Sequence, residues 1–188
     1  MDLTGWIVLG VIVVIALYLI VIYNRLVSLR QTVDQSWSDI TVQLKQRHDL
    51  VPNLVETVKG YAAHERGTLD AVVKARTAAV AAADPNAQAQ AENMLTGALR
   101  QLFALAEAYP DLKANQNFLR LQSDLADIEN KIAAARRFFN NAVQEYNASI
   151  QQFPAVLFAA SMGFAGRAFF ELDEGERAAV EAVPQVKF

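Results

Sequence analysis

An unbroken apolar run near the start of the chain constrains its fold more than any other feature. From Trp6 to Tyr23 the sequence reads WIVLGVIVVIALYLIVIY, with no charged residue. At about 1.5 Å of rise per residue, a helix of this length spans roughly 27 Å, close to the hydrocarbon thickness of a bilayer. A cleaved signal peptide is the alternative, but its apolar core is usually about 7 to 15 residues long. No basic residue precedes the run and no small-residue cleavage site follows it, so we predict a transmembrane helix over residues 6–23.

The charges that flank this run predict its orientation. Lys and Arg are absent before it, whereas Arg25 and Arg30 follow it closely. Because positively charged flanks are retained in the cytoplasm, we expect residues 1–5 to form a short extracytoplasmic N-terminus. Everything after residue 23 is then expected to be cytoplasmic.

Charge and cysteine content exclude several classes of function. All 17 basic side chains and all but one of the 20 acidic ones follow residue 24, so the body is nearly neutral. It therefore lacks the broad basic surface that nucleic-acid binding requires, and we predict no nucleic-acid partner. The chain has no cysteine, which rules out a disulfide scaffold, a thiolate metal site and a cysteine nucleophile.

The clearest helical pattern lies between about Lys113 and Gln152. An apolar residue recurs there at every seventh position: Phe118, Leu125, Ile132, Phe139, Tyr146 and Phe153. Because a seven-residue repeat gives a narrow apolar stripe that suits neighbours at a small crossing angle, we predict one long helix within an elongated antiparallel bundle. An isolated parallel coiled coil is disfavoured because the remaining sequence supplies partner stripes.

Those partner stripes advance in steps of three and four residues, as helices do. They pass through Leu26, Leu29, Val33, Trp37, Ile40 and Leu44, and again through Leu95, Leu99 and Leu102. We predict helical segments over residues 6–60, 66–83, 86–108 and 113–152. The expected fold class is all-α: an N-terminal transmembrane helix that continues into an elongated antiparallel four-helix bundle over residues 24–153.

A proline interrupts the first helical segment, within RHDLVPNLVETVKGY. The apolar spacing keeps its phase through Pro52, which indicates a kinked but continuous helix. The alternative is that Asp49 caps a new helix with Pro52 in its first turn. In a continuous helix proline offers no N–H to the carbonyl of His48, and a polar site could form at that free carbonyl. We therefore take Arg47, His48 and Pro52 as candidate interaction residues.

The stretch after the bundle is a second candidate interaction surface. Residues 154–172 carry only two charges, and their aromatic and methionine side chains are candidate contacts: Phe158, Met162, Phe164, Phe169 and Phe170. In an up-and-down bundle that hangs from a membrane helix, the fourth helix returns to the membrane. We expect an apolar helical segment here that meets the bilayer or a neighbouring protomer, with residues 173–188 as a polar tail. The alternative is that the segment folds back over its own bundle.

Four longer blocks of sequence occur in a recognisable order. They are LRQTVDQSWSDITVQLKQRHDLVPNLVETVKGYAAHE (29–65), AEAYPDLKANQNFLRLQSDL (106–125), IAAARRFFNNAVQEYNASIQQFP (132–154) and VPQVKF (183–188). Together they resemble the bacterial LemA family. The resemblance implies an N-terminal membrane helix, an antiparallel four-helix bundle and no established enzymatic activity, cofactor or catalytic residue. Family members typically have Tyr where this chain has Phe139, so any role of that hydroxyl is lost here.

The polar residues do not form a catalytic motif. His48 and His64 lie in no HExxH sequence, and the chain has no EF-hand loop or G-x-S-x-G. We therefore expect no enzyme, no cofactor, and no catalytic, cofactor-binding or metal-binding residue. The predicted function is a scaffold or assembly protein at the bacterial inner membrane, with the membrane, a homo-oligomer and a second membrane protein as candidate partners. The alternative is a single-pass transducer that passes a signal through the continuous first helix.

Overall fold

The computed structural model describes residues 2–171 of the chain, and most of them are helical. The helices are α1 (Leu3–Lys59), α2 (Arg66–Ala81), α3 (Pro85–Ala106), α4 (Pro110–Lys113) and α5 (Gln116–Gln151). A single 3-10 turn, Ala155–Leu157, follows α5. The predicted all-α class is confirmed, and the described residues contain no strand. The predicted polar tail, residues 173–188, lies outside the described residues.

The chain divides into two compact units. The first consists of the residues up to Ser38 together with Phe138–Arg167, so it joins the start of α1 to the end of α5 and the segment that follows. The second consists of Asp39–Arg137 together with the described residues from Ala168 to Glu171. It holds the rest of α1, all of α2, α3 and α4, and the first part of α5.

The second unit contains the four-helix packing that the sequence predicted. Helices α2 and α3 form an antiparallel pair, joined by a short turn in which the Asp84 carboxylate accepts hydrogen bonds from the amides of Asn86 and Ala87. That cap, with Pro85 in the first turn, begins α3 where the backbone would otherwise leave amides unpaired. One apolar core joins all the helices of this unit, with Val51, Val58, Val72, Leu95, Leu102 and Leu112 almost fully buried.

The first unit contains the candidate membrane span. Among the described residues, α1 is the one helix that is long and apolar enough to cross a membrane, by its length and composition. No part of its most apolar window is buried against the rest of the chain, so the window is not the core helix of a bundle. Trp6 and Tyr23, at the two ends of the run, are both exposed.

Helix α1 passes through Pro52 without a break. The continuous helix is therefore confirmed, and the alternative of a new helix capped by Asp49 is wrong. The Asp49 carboxylate instead pairs with Lys45 one turn earlier, at 2.7 Å, on an exposed surface.

The apolar seam of α5 is confirmed up to Tyr146 and is wrong at its last position. Phe118, Ile132, Phe139 and Tyr146 are all buried, but 81% of Phe153 is exposed. The reason is that α5 ends at Gln151, so the seven-residue spacing no longer places the next side chain on the packed face.

The segment after α5 is not the helix that the sequence predicted. Over its described part, 154–171, one 3-10 turn gives way to further turns and then irregular backbone. Gly163 has φ of 79°, a left-handed conformation that ends a right-handed helix and that glycine adopts without strain. Beyond it, side chains of α5 take the backbone hydrogen bonds that a helix would need, because Tyr146 donates to the carbonyl of Ala165 and Asn147 donates to that of Arg167.

Candidate functional site

The strongest candidate site is a cluster of buried polar side chains in the second unit. Arg47 and His48 are adjacent on α1, and both reach the carboxylate of Glu92 on α3. Only 2% of Arg47, 7% of His48 and 1% of Glu92 is exposed. Burial of this kind is costly unless every charge has partners, so the contacts of each group decide what the cluster can do.

Glu92 is the acceptor at the centre of the cluster. Its Oε2 accepts from Arg47 Nη1 at 2.8 Å, and its Oε1 lies 2.7 Å from His48 Nε2. Because an ionised carboxylate only accepts, His48 donates to Glu92 through Nε2–H. Gln88, one turn earlier on α3, donates to the same Oε1 at 2.8 Å and also to the carbonyl of Ala79 on α2. One carboxylate therefore connects α1 and α3 and, through Gln88, α2.

Arg47 extends the cluster to a further helix. Its Nη2 donates to the hydroxyl of Thr96 at 2.8 Å and lies 2.7 Å from the Glu129 carboxylate on α5. The Thr96 hydroxyl in turn donates to the main-chain carbonyl of Glu92. A planar guanidinium has several donors in a fixed fork, which lets one side chain hold two helices at once.

The carbonyl that Pro52 leaves free belongs to the same region. Pro52 supplies no N–H to the carbonyl of His48, and Arg76 Nε on α2 donates to that oxygen at 2.7 Å. Arg76 thus makes a polar contact at the carbonyl where a polar site was predicted. The main-chain carbonyl that Pro52 leaves without a donor therefore attaches α1 to α2.

The pKa values of the two carboxyl groups, Glu92 and Glu129, are shifted in opposite directions. Burial opposes ionisation of Glu92, but the hydrogen bond from His48 and the charges of Arg47 and His48 together hold its pKa below the ordinary value of 4.5. Burial raises the pKa of Glu129, and the negative charge of Glu92 adds to that increase against the attraction of Arg47. Glu92 is therefore the carboxylate whose ionised form the fold stabilises.

The arrangement directs its polar atoms at one another. Both oxygens of the Glu92 carboxylate accept hydrogen bonds from protein groups, and Arg47 uses both terminal nitrogens, although its buried Nε has no partner among the described residues. Because both side chains are buried, neither is presented to an incoming molecule. Within residues 2–171, no group of three or more His, Asp or Glu side chains is placed to hold a metal ion. What the cluster can do is fix the register of four helices.

Comparison with known proteins places the chain in a family. The LemA family matches residues 36–188. The chain belongs to the LemA family. Magnetosome protein MamQ 2 of Paramagnetospirillum magneticum is 26% identical over 190 residues, which cover 87% of this chain and 70% of that protein. Magnetosome protein MamQ of Magnetospirillum gryphiswaldense is 25% identical over 168 residues, covering 76% and 62%. Protein LemA of Metamycoplasma hominis is 25% identical over 162 residues, covering 84% and 73%.

The family match and the candidate span both indicate that this LemA-family chain is associated with a membrane. It is a membrane-associated helical protein with one candidate transmembrane helix among its described residues. The buried cluster lies within the matched range.

The structure separates the residues that the sequence singled out. Arg47 and His48 come together in the cluster, whereas Pro52 lies on the exposed side of α1. Of the later candidates, Phe164 and Phe170 are buried, Phe158 is partly buried, and Met162 and Phe169 are exposed. A contact of any of them with another molecule stays a prediction.

Sequence reasoning missed the α3 part of the cluster in this LemA-family chain. Glu92 was not singled out, although it stands three residues before Leu95 and seven before Leu99, in phase with the apolar stripe of α3. Gln88 and Thr96 flank it by one turn on the same face. A charged residue in phase with an apolar stripe was the available signal.

Pro52 and Arg76 should be energetically coupled through the carbonyl of His48. Arg76→Met leaves that carbonyl without its donor and should lower the free energy of unfolding by about 1 to 3 kcal/mol. Pro52→Ala alone should change it by no more than about 1 to 2 kcal/mol, because a gain in helix propensity opposes any repacking around position 52.

In the double variant the amide that alanine introduces at position 52 can serve the His48 carbonyl, so the Arg76→Met penalty should shrink. Chemical denaturation of the four proteins followed by circular dichroism measures the coupling. Strictly additive effects would show that Arg76 does not act through this carbonyl.

Proposed function

We propose that the chain is a non-enzymatic, membrane-anchored helical scaffold at the bacterial inner membrane. The observation that carries the proposal is the Arg47–Glu92 pair, which is buried and joins α1 to α3. A catalytic or ligand-binding group has to meet a substrate, whereas these two groups are buried and contact neighbouring side chains of the same chain. Buried ionic groups of this kind are best attested where they set helix register.

A fixed register is what a scaffold requires. Apolar seams alone tolerate sliding by a turn, because one leucine can replace the next in the same position. If α3 slid by one turn, the Glu92 carboxylate would move with it and leave Arg47 and His48 buried without their partner. The helices of the second unit therefore present outer faces of defined geometry, on which a second copy or another membrane protein can assemble.

The names of the relatives give the cellular structure to which some of them belong. Two of them are named as magnetosome proteins. For the present chain we infer only the class of role, which is to organise other components at a membrane. Its partners are a second copy of the chain and a further membrane protein.

The test is the mass of the full chain purified in lipid nanodiscs. A scaffold should give one stoichiometry above the monomer, alone or with a co-purified protein, and that stoichiometry should survive dilution with excess lipid. Dilution is the control, because crowding in one disc disappears as lipid is added. A monomer that carries no other protein would contradict the proposal.

Orientation is tested separately with thiol labelling, for which a chain without cysteine offers no background. Because Arg25 and Arg30 should stay inside, Ser38→Cys is expected to resist a membrane-impermeant thiol reagent in intact cells and to react after lysis. Thr4→Cys is the matched exposed position and should react in intact cells. The reverse pattern would place the helical body outside the cytoplasm.

A signal transducer is the second candidate, favoured by one observation. Helix α1 contains the span, the Arg47–His48 pair and Pro52 in a single element. A transducer needs two states that a ligand distinguishes. Spin labels at Ser38 and Glu56 should give one distance distribution for a scaffold and two exchanging distributions for a transducer.

A further inference from the structure

The segment from Phe153 to Gly166 is unusual in that none of its residues is charged. It belongs to the first unit, which also contains the candidate span. Its Phe164 ring contacts the ring of Tyr23 edge-on, with centroids 5.6 Å apart. Tyr23 is the last residue of the apolar run, so this contact places the segment beside the end of the span.

The packing of α1 against α5 in the first unit independently places Phe153 at the height of Tyr23, the end of the span. Trp37 of α1 packs on Phe139 of α5, with ring centroids 5.4 Å apart. Tyr23 precedes Trp37 by as many residues as Phe153 follows Phe139. Because antiparallel helices rise equally per residue, both steps end at a similar height.

The segment has a buried face and an exposed apolar face. Ala155, Ala159 and Phe164 are buried. The side chains that remain outside are large and apolar: Phe153 is 81% exposed, Leu157 73%, Val156 51% and Met162 44%. Four such side chains in ten consecutive positions favour a contact with another apolar surface over ordinary solvated surface.

Seven amides of this segment already have hydrogen-bond partners. The amides of Val156, Leu157, Phe158, Ala159, Met162, Gly163 and Phe164 all donate to nearby main-chain carbonyls. Unsatisfied amides are what excludes irregular backbone from apolar surroundings, so their satisfaction lowers the cost of placing this segment against lipid.

The segment is also held in position by polar contacts at its end. Asn147 of α5 both donates to the carbonyl of Arg167 and accepts from its amide. The Arg167 guanidinium reaches Asp34 on α1 at 3.1 Å, and Tyr146 holds the carbonyl of Ala165 at 3.0 Å. The exposed side chains are thus presented by a pre-ordered loop, which reduces the entropy lost on binding.

We propose that Phe153, Val156, Leu157 and Met162 insert into the interface of the same bilayer that α1 crosses. The inference rests on the proposed membrane anchor and adds a second contact with lipid beside it. Continuity with the span identifies lipid as the occupant. The absence of charge between Phe153 and Gly166 agrees with this, as do Arg25 and Arg30 nearby, which suit anionic headgroups.

The experiment uses single-cysteine variants of the full chain, labelled with an environment-sensitive fluorophore. Leu157→Cys reports on the loop, Val13→Cys on the span, and Val80→Cys on an equally apolar exposed position of α2. Each protein is reconstituted in vesicles of phosphatidylcholine and phosphatidylglycerol that contain two nitroxide lipids, one labelled near the headgroup end and one near the methyl end of the acyl chain. We expect the labels at positions 157 and 13 to lose fluorescence, and the label at 80 to keep it.

A second comparison checks the loop itself. Phe153→Glu should reduce quenching at position 157, because the ratio of inserted to free loop should fall about tenfold. Phe138→Glu, a change at another exposed Phe of the first unit, should leave that quenching unaltered.

The outcomes separate the loop from the anchor. If position 13 is quenched and position 157 is not, the span is inserted and the loop proposal is overturned. If position 157 is also shielded from aqueous iodide without being quenched by either lipid nitroxide, a second copy or another protein covers the loop instead of lipid. If position 13 is not quenched either, the anchor of the proposed function fails, and the loop proposal fails with it.

Discussion

Glu92→Ala should lower the free energy of unfolding by about 3 to 5 kcal/mol, because it leaves the Arg47 charge buried without its main counter-ion. Arg47 would keep only the Thr96 hydroxyl and the partly exposed Glu129 carboxylate. His48 and Gln88 would lose a shared acceptor in the same step. Chemical denaturation of the full chain, followed by circular dichroism, measures the loss.

Two further variants make this expectation specific. Glu56→Ala removes an exposed carboxylate from its 3.3 Å pair with Lys59 and should change the free energy of unfolding by no more than about 0.5 kcal/mol. Replacing both Arg47 with Met and Glu92 with Leu removes the charges together and should recover most of the lost stability. If Glu92→Ala cost no more than Glu56→Ala, the pair would not be buried as described.

Glu92→Ala should also change how strongly acid lowers the stability of the protein. The pKa of Glu92 is lowered in the folded state, so its stabilisation is complete above the ordinary carboxyl value and is lost as pH falls through the folded pKa. Glu129, with a raised pKa, acts in the opposite sense, losing stability as pH rises between its ordinary and folded values. The loss of stability in acid should therefore be smaller in Glu92→Ala than in the unaltered chain.

Phe139→Ala should have an effect of similar size, a loss of about 3 to 5 kcal/mol, through a cavity in the first unit. Only 3% of Phe139 is exposed, and its ring packs on Trp37 at 5.4 Å between centroids. Removing the ring loses both the burial and the aromatic contact. The midpoint of thermal unfolding of the full chain is the measurement.

The neighbouring residue is a matched control. Phe138 has the same side chain and is 56% exposed, so Phe138→Ala should cost far less than Phe139→Ala. Equal and small effects would mean that the α5 seam does not form a packed core at this position, and that it faces a partner instead.

The helices could be predicted from sequence because their signals are local. The predicted segment 113–152 contains α5, Gln116–Gln151, and the predicted 86–108 contains nearly all of α3. Each turn of such a helix repeats the same spacing of apolar residues, so an error at one position is corrected by the next. Pro52 belongs to the same class, because the loss of one N–H affects a carbonyl only four residues away.

The composition of the cluster could be predicted only in part. Arg47 and His48 stood out as polar residues on an apolar stripe, and the free carbonyl of His48 marked a polar site. Their partners, Glu92 and Arg76, lie on two other helices. Which carboxylate or guanidinium arrives at that position depends on how α2 and α3 fold back against α1, and the spacing within any one helix does not contain that information.

What the sequence alone determined is the all-α class, the apolar run of α1, the approximate extent of the helices and their continuity through Pro52. Only the tertiary structure decided that Glu92 is the centre of the buried cluster and that the segment after α5 is a loop instead of a helix. Composition favoured a helix there, but Gly163 and the hydrogen bonds from Tyr146 and Asn147 favour irregular backbone. The physical reason is the same in both cases: periodicity is set within a few turns, whereas the choice of a polar partner is made between elements distant in sequence.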